Sequence, residues 1–222
     1  MTPYAEAADR VRALYRIPTA PSRNRTLEVC HGRQALLPGQ RWPGVGHAWA
    51  QVAPGGRLEY PTQHFDLIIL HRTLDDLAAA GAGDFDAGAW LQQVATLLVP
   101  GGLLAGCIHR RDGLRALTRR VLRRGAAAAE PAVFWSVAEL RRMLAAAGLV
   151  RARSFILLPG ADSPLKLVED DPQVARFAFG REVEVQRRHL SASGLQARQL
   201  AVRLGLAQRL EAAVFFWAYR PC

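Results

Sequence analysis

The chain has 222 residues, half of them hydrophobic, and a formal net charge of +10, enough for one sizeable α/β domain with its own core. Its longest apolar run, Ala212 to Tyr219, is far too short to cross a bilayer, and Cys30, Cys107 and Cys222 form neither a CxxC pair nor a disulfide framework, which points to the cytoplasm. The charge admits an RNA- or anion-binding module, but Lys166 is the only lysine and the remaining basic residues are arginines in an alanine-rich chain, a pattern closer to coding bias than to a surface built for nucleic acid.

Residues 1–17 read as an amphipathic helix with Thr2 as N-cap and Pro3 at the first helical position. A Pro/Ser linker leads to residue 25, and "TLEV" (26–29) is a short apolar strand. Residues 30–64 carry Pro38, Pro43, Pro54 and Pro61 and leave room for one strand, near "HAWAQV". "FDLIIL" (65–70) is a continuous apolar run, as expected of a strand buried on both faces of a parallel sheet. A helix is predicted at about 87–98, a turn at "PGG" (100–102), a second buried strand at "LLAGCI" (103–108) and an arginine-rich amphipathic stretch over 111–124. "SVAELRRMLAAAGL" (136–149) is the best helix, opened by a Ser136/Glu139 capping box and ended by Gly148. A strand follows at 151–159, then a polar helical segment over 160–210, and a final strand over 211–221. Strands alternating with helices predict a mostly parallel sheet covered on both faces.

From Phe65 onward the order "FDLIILHRTLDDL", a helix, "LLVPGGLLAGCIHR", the capped helix and two late strands resembles the second half of class I S-adenosylmethionine-dependent methyltransferases of the small-molecule (type 11) kind. The likeness covers residues 65–159 and extends to the last strand. It implies an α/β Rossmann-like fold, one domain over 1–222 with its last strand antiparallel, an N-terminal helix and linker over 1–25 and a helical insert over 160–210 before that strand. It also implies S-adenosylmethionine as cofactor, held by the loop after the first strand.

Against that pattern the stretch "TLEVCHGRQ" departs. In the family an acidic and a hydrophobic residue precede G-x-G-x-G, because the backbone must turn sharply and approach the cofactor closely. Glu28 and Val29 match the first two positions, Cys30 stands for the first glycine, Gly32 keeps the second, and Gln34 replaces the third. The family also places a carboxylate after the second strand for the ribose hydroxyls, and residues 30–58 contain no Asp or Glu. A βαβ unit takes about 30 residues or more, so residues 30–64 hold one strand–helix unit fewer than the family has, and the N-terminal half is abbreviated.

Open α/β sheets bind ligands beyond the carboxyl ends of their strands. Cys30 and His31 follow the first strand, His71 the second and His109 the third, so they are expected on one rim. His71 and His109 are the candidate catalytic bases, and Glu28, Cys30, Gly32 and His71 the candidate cofactor contacts. No HxxxH or CxxC spacing supports a metal site. Asp75 and Asp76 are expected to cap and charge-compensate a helix, with acid/base chemistry as the alternative. Asp66 is expected to hydrogen-bond backbone at the start of its strand. Arg110 and the arginines after it are either a solvated face or an anion site, and Trp42, Trp49 and Trp135 pack a loop or stack on a flat ligand.

Three functions compete at this point. The first is a methyltransferase-fold protein with a degraded cofactor site, acting through a homo- or hetero-oligomeric partner or another ligand. The second is a divergent active methyltransferase on a small molecule, and the third the RNA- or anion-binding module.

Overall fold

The computed structural model describes residues 10, 11, 13–15, 25–32, 46–52, 58, 60, 62–81, 85–110, 135–158, 164–185, 192–204, 206, 209 and 213–222. After helical residues around 10–15 the elements are β1 (Arg25–Cys30), β2 (Gly46–Gln51), β3 (Phe65–His71), α1 (Thr73–Ala80), α2 (Ala87–Leu97), β4 (Leu98–His109) and α3 (Val137–Ala146). These are followed by β5 (Val150–Leu158), β6 (Lys166–Glu169), α4 (Pro172–Val185), α5 (Ala192–Arg203) and β7 (Ala213–Tyr219). The strands form one sheet in the order β2-β1-β3-β4-β7-β5-β6. β1 pairs in parallel with β2 and β3, and β3 with β4; β7 is antiparallel to β4 and β5. This is the expected Rossmann-like α/β sheet with its last strand reversed.

The alternation along β3 shows why the apolar run was required. Ile68 and Leu70 face a core completed by α1, α2 and α3. Leu67 and Ile69 face the other way, against Val11, Leu14 and Tyr15 of the N-terminal segment. Helix therefore covers both faces of the Leu67–Leu70 run, and neither side of that run has a place for a polar residue. The predicted capping box is present: Glu139 N donates to Ser136 Oγ at 3.1 Å, and Ser136 N donates to Glu139 Oε2 at 2.8 Å. Asp66 does what its position suggested, accepting from Arg25 N at 3.0 Å and Arg25 Nε at 3.3 Å.

Three local expectations are corrected. Pro100-Gly101-Gly102 is not a turn between elements but the irregular start of β4. Gly101, at φ +72°, donates to Arg220 O, and the β3–β4 register shifts between Phe65 and Leu67. Residues 73–77, the tail of "FDLIILHRTLDDL", belong to α1, entered through Arg72 at φ 60°. The 160–210 segment is not wholly helical, because Lys166–Glu169 adds an antiparallel edge strand on β5. Four residues are too few for a period-two signal, and the partner strand supplies the order. Between β1 and β3 the described residues contain one strand, β2, at the sheet edge. No described helix is long and apolar enough to cross a membrane.

Candidate functional site

The parallel strands β1, β3 and β4 end together, and their last residues are Cys30, His71 and His109. The expected rim exists, but its side chains settle on different partners. Leu27 and Val29 face the helix-covered core, so alternation turns Glu28 and Cys30 to the other side of β1. There the Glu28 carboxylate is buried, 1% exposed. It lies 3.7 Å from His47 Nε2 and accepts from Cys30 Sγ at 3.6 Å. Burial, with the Glu28 charge adding to it, pushes the Cys30 thiol up to about 12. Since the thiolate is the reactive form, Cys30 is expected to react slowly in the folded protein. Thiol titration of the native protein is expected to show one fast cysteine, exposed Cys222, with buried Cys30 and Cys107 reacting only on unfolding.

On the same face Tyr15 Oη lies 2.8 Å from His71 Nδ1, with the rings edge-on, and donates weakly to Cys107 Sγ at 3.6 Å. Burial raises the Tyr15 phenol well above its ordinary value, and the nearby thiols and Glu28 raise it further. Tyr15 is thus a neutral hydroxyl that draws His71 toward the N-terminal segment.

The chain beyond β1 is tied down. Val52 N donates to Cys30 O at 2.9 Å, extending the β1–β2 pairing past Gln51. His31 Nδ1 lies 2.6 Å from Val52 O; a carbonyl only accepts, so Nδ1 carries the proton. Gly32, at φ +61°, keeps the left-handed turn that favours glycine. Thr73 Oγ1 donates to Val29 O at 2.6 Å and pins the start of α1 to the end of β1.

Asp75 does not cap α1, whose N-cap residue is Arg72 with no side-chain cap bond. Its Oδ2 accepts instead from His109 N at 2.7 Å and faces His109 Nδ1 at 3.0 Å, while its Oδ1 is buried without a hydrogen bond. A carboxylate orienting one imidazole nitrogen leaves the other as the basic position. Burial raises the Asp75 pKa, against the pull of the His109 hydrogen bonds. An acid whose folded pKa is raised favours the fold most while protonated, and its contribution falls as pH rises through the folded value. Asp75→Asn keeps an acceptor and removes the charge. Its melting temperature, relative to the parent, is expected to rise from about pH 4 to about pH 7; an unchanged difference would mean that the charge costs nothing.

Arg110, just past β4, is buried and pairs with Asp170 at 3.5 Å; Asp170 also accepts from Ser154 Oγ at 3.4 Å. This arginine is therefore neither a solvated face nor an open anion site. The arginines after it, with Gln34 and Trp42, lie outside the described residues. Trp49 stands exposed on β2, and Trp135 meets Arg110 in an isolated parallel bridge. Among the described residues no group of three His, Cys, Asp or Glu side chains is gathered for a metal ion. Tyr15 and His47 were missed because each reads as part of an apolar helix or strand. Asp75 was seen, but its partner lies 34 residues away, and no spacing rule announces such a pair.

No family model matches the sequence, and no curated protein matches it. Solved structures do match. A S-adenosylmethionine-dependent methyltransferase of Thermotoga maritima superimposes with a TM-score of 0.54 at 15% identity, over 98% of this chain and 89% of that one. A second, of Archaeoglobus fulgidus, gives 0.54 at 11% identity over 97% and 96%. A Haloferax volcanii methyltransferase in complex with the Trm112 methyltransferase activator gives 0.53 at 12% identity over 99% and 91%. At these identities the likeness establishes the fold, the Rossmann-like sheet of class I S-adenosylmethionine-dependent methyltransferases.

Proposed function

We propose that this is a methyltransferase-fold protein that has given up its cofactor site and serves as a non-catalytic or repurposed subunit, acting through a protein partner or another ligand. The observation that carries this reading is the carboxyl end of β1. Where the fold needs a glycine loop free to wrap S-adenosylmethionine, Cys30 and His31 are bonded to Val52 at the end of β2. The residues present do not fit the cofactor. Glu28 is buried against His47 and Cys30, and residues 30–58 offer no carboxylate for a ribose. Each such contact left unmade costs on the order of 1–3 kcal/mol, and several together move a micromolar ligand toward millimolar. His71, turned to buried Tyr15, fits the same reading. The 160–210 insert is the natural arm for a partner, and complexes with an activator occur on this fold.

Calorimetric titration of the purified protein with S-adenosylmethionine tests the reading. Expected is no saturable heat at tens of micromolar ligand, roughly the range a working site would fill. Tight one-to-one binding would sink the proposal.

A second reading, a divergent methyltransferase acting on a small molecule, is favoured by the Asp75–His109 pair. In it His109 holds a substrate proton at Nε2 while Asp75 orients the ring. Methyl transfer inhibited by S-adenosylhomocysteine and lost in His109→Ala would establish it over the first.

A further inference from the structure

The two edges of the sheet are built differently. β6 is four residues long with Lys166 and Glu169 at its ends, the kind of charged, short edge that resists a further strand. β2, at the opposite edge, runs six residues in unbroken register on β1, with no proline and no Lys, Arg, Asp or Glu, in a chain of net charge +10. Val52 N donates to Cys30 O, so alternation turns the backbone groups of Ala48 and Ala50 toward β1 and those of His47, Trp49 and Gln51 outward. Among the described residues no strand and no backbone hydrogen bond meets these outward groups. Ala48 and Ala50 pack on the core yet stay partly exposed, and Trp49, on the other face, is 56% exposed.

An open strand edge takes another strand, whose main-chain hydrogen bonds supply the affinity. A second copy of β2 fits it closely. A two-fold axis normal to the sheet pairs β2 with its own copy in antiparallel sense, and opposed residues share a face, so the axis passes through a residue and not between two. Centred on Trp49, it sets His47 opposite Gln51, Ala48 opposite Ala50 and Trp49 opposite itself. His47, Trp49 and Gln51 then all fall in hydrogen-bonded pairs within β2; centring on Ala48 or Ala50 leaves one of them unmatched. The same register covers the exposed Trp49 ring with an aromatic partner and opposes no like charges along the edge. We propose that β2 is a homodimer interface, two copies joining edge to edge into one continuous sheet with Trp49 on the two-fold axis. The inference goes beyond the function proposed above, naming a second copy as the partner, and stands whether or not S-adenosylmethionine binds.

Sedimentation equilibrium without S-adenosylmethionine tests the association, and cross-linking tests the register. The full chain is expected to sediment at twice its own mass at about 50 micromolar and to dissociate on dilution. Trp49→Ala is expected to weaken the dimer about tenfold and Trp49→Phe to keep it, since the aromatic pair is what differs. Trp49→Lys, which sets two ammonium groups against each other, is expected to leave only monomer with unchanged circular dichroism. In a Cys222→Ser background, Trp49→Cys is expected to form a covalent dimer under mild oxidation, because a hydrogen-bonded antiparallel pair holds its Cα atoms about 5.5 Å apart, within disulfide reach. Gln51→Cys, equally exposed but opposite His47 in this register, is expected to stay monomeric on denaturing gels. A monomer at every concentration, a dimer indifferent to Trp49→Lys, or cross-linking through Gln51→Cys in place of Trp49→Cys would overturn the proposal.

Discussion

Gly106→Val is expected to leave no folded protein at ambient temperature. Gly106 sits in the middle of β4, paired to Leu70 on one side and Phe216 on the other. A Cβ there would stand 2.7 Å from Leu70 O and 2.7 Å from Cζ of the Phe216 ring. The carbonyl belongs to a strand buried on both faces, and Phe216 is itself fully buried, so neither neighbour can retreat into solvent. Overpacking a dense core costs about 1–3 kcal/mol for small additions, which is the expectation for Gly106→Ala. The branched valine is expected to cost more than about 4 kcal/mol, against a total stability of roughly 5–15 kcal/mol. Urea denaturation followed by circular dichroism measures the alanine variant and reports whether the valine variant folds at all. A parent-like midpoint for Gly106→Ala would mean that the sheet yields more easily than its register implies.

Asp170→Asn is expected to cost about 3–5 kcal/mol, the usual range for breaking a buried ion pair from one side. The side chains of Arg110 and Asp170 are 4% and 7% exposed, so the guanidinium would keep its burial and lose the Asp170 carboxylate. Asp170 also receives Ser154 Oγ, which in turn accepts from Arg141 at 2.8 Å, so the change reaches α3 and β5. Because Asp170 lies between β6 and α4, its loss should first free that edge. Hydrogen exchange is therefore expected to rise over 166–185 before the rest of the sheet. A uniform loss of protection would instead mean that residues 166–185 are no separate unit of stability.

The elements that sequence reasoning found are those whose pattern is local. "FDLIIL" reads as a strand with both faces buried, and Ser136 with Glu139 announces a helix start within four residues. What it misjudged depends on neighbours far along the chain. Pro100-Gly101-Gly102 has turn chemistry, yet the backbone of Arg220 bonds Gly101 and Gly102 into an irregular strand. Asp75 has the position of a capping residue, yet the end of β4 brings His109 to it and changes its role. His71 and His109 were placed correctly at the rim, but Tyr15, from the other end of the chain, decides which way His71 is drawn.

The sequence by itself determined the fold class and the strand ends that form the rim, because these follow from hydrophobic period and turn chemistry read over a few residues. The tertiary structure alone decided the partners of the rim residues: His31 with Val52, His71 with Tyr15, His109 with Asp75, and Arg110 with Asp170. The physical reason is that a buried polar group takes whichever partner the packing brings within hydrogen-bond reach, and each of those partners lies on a different element.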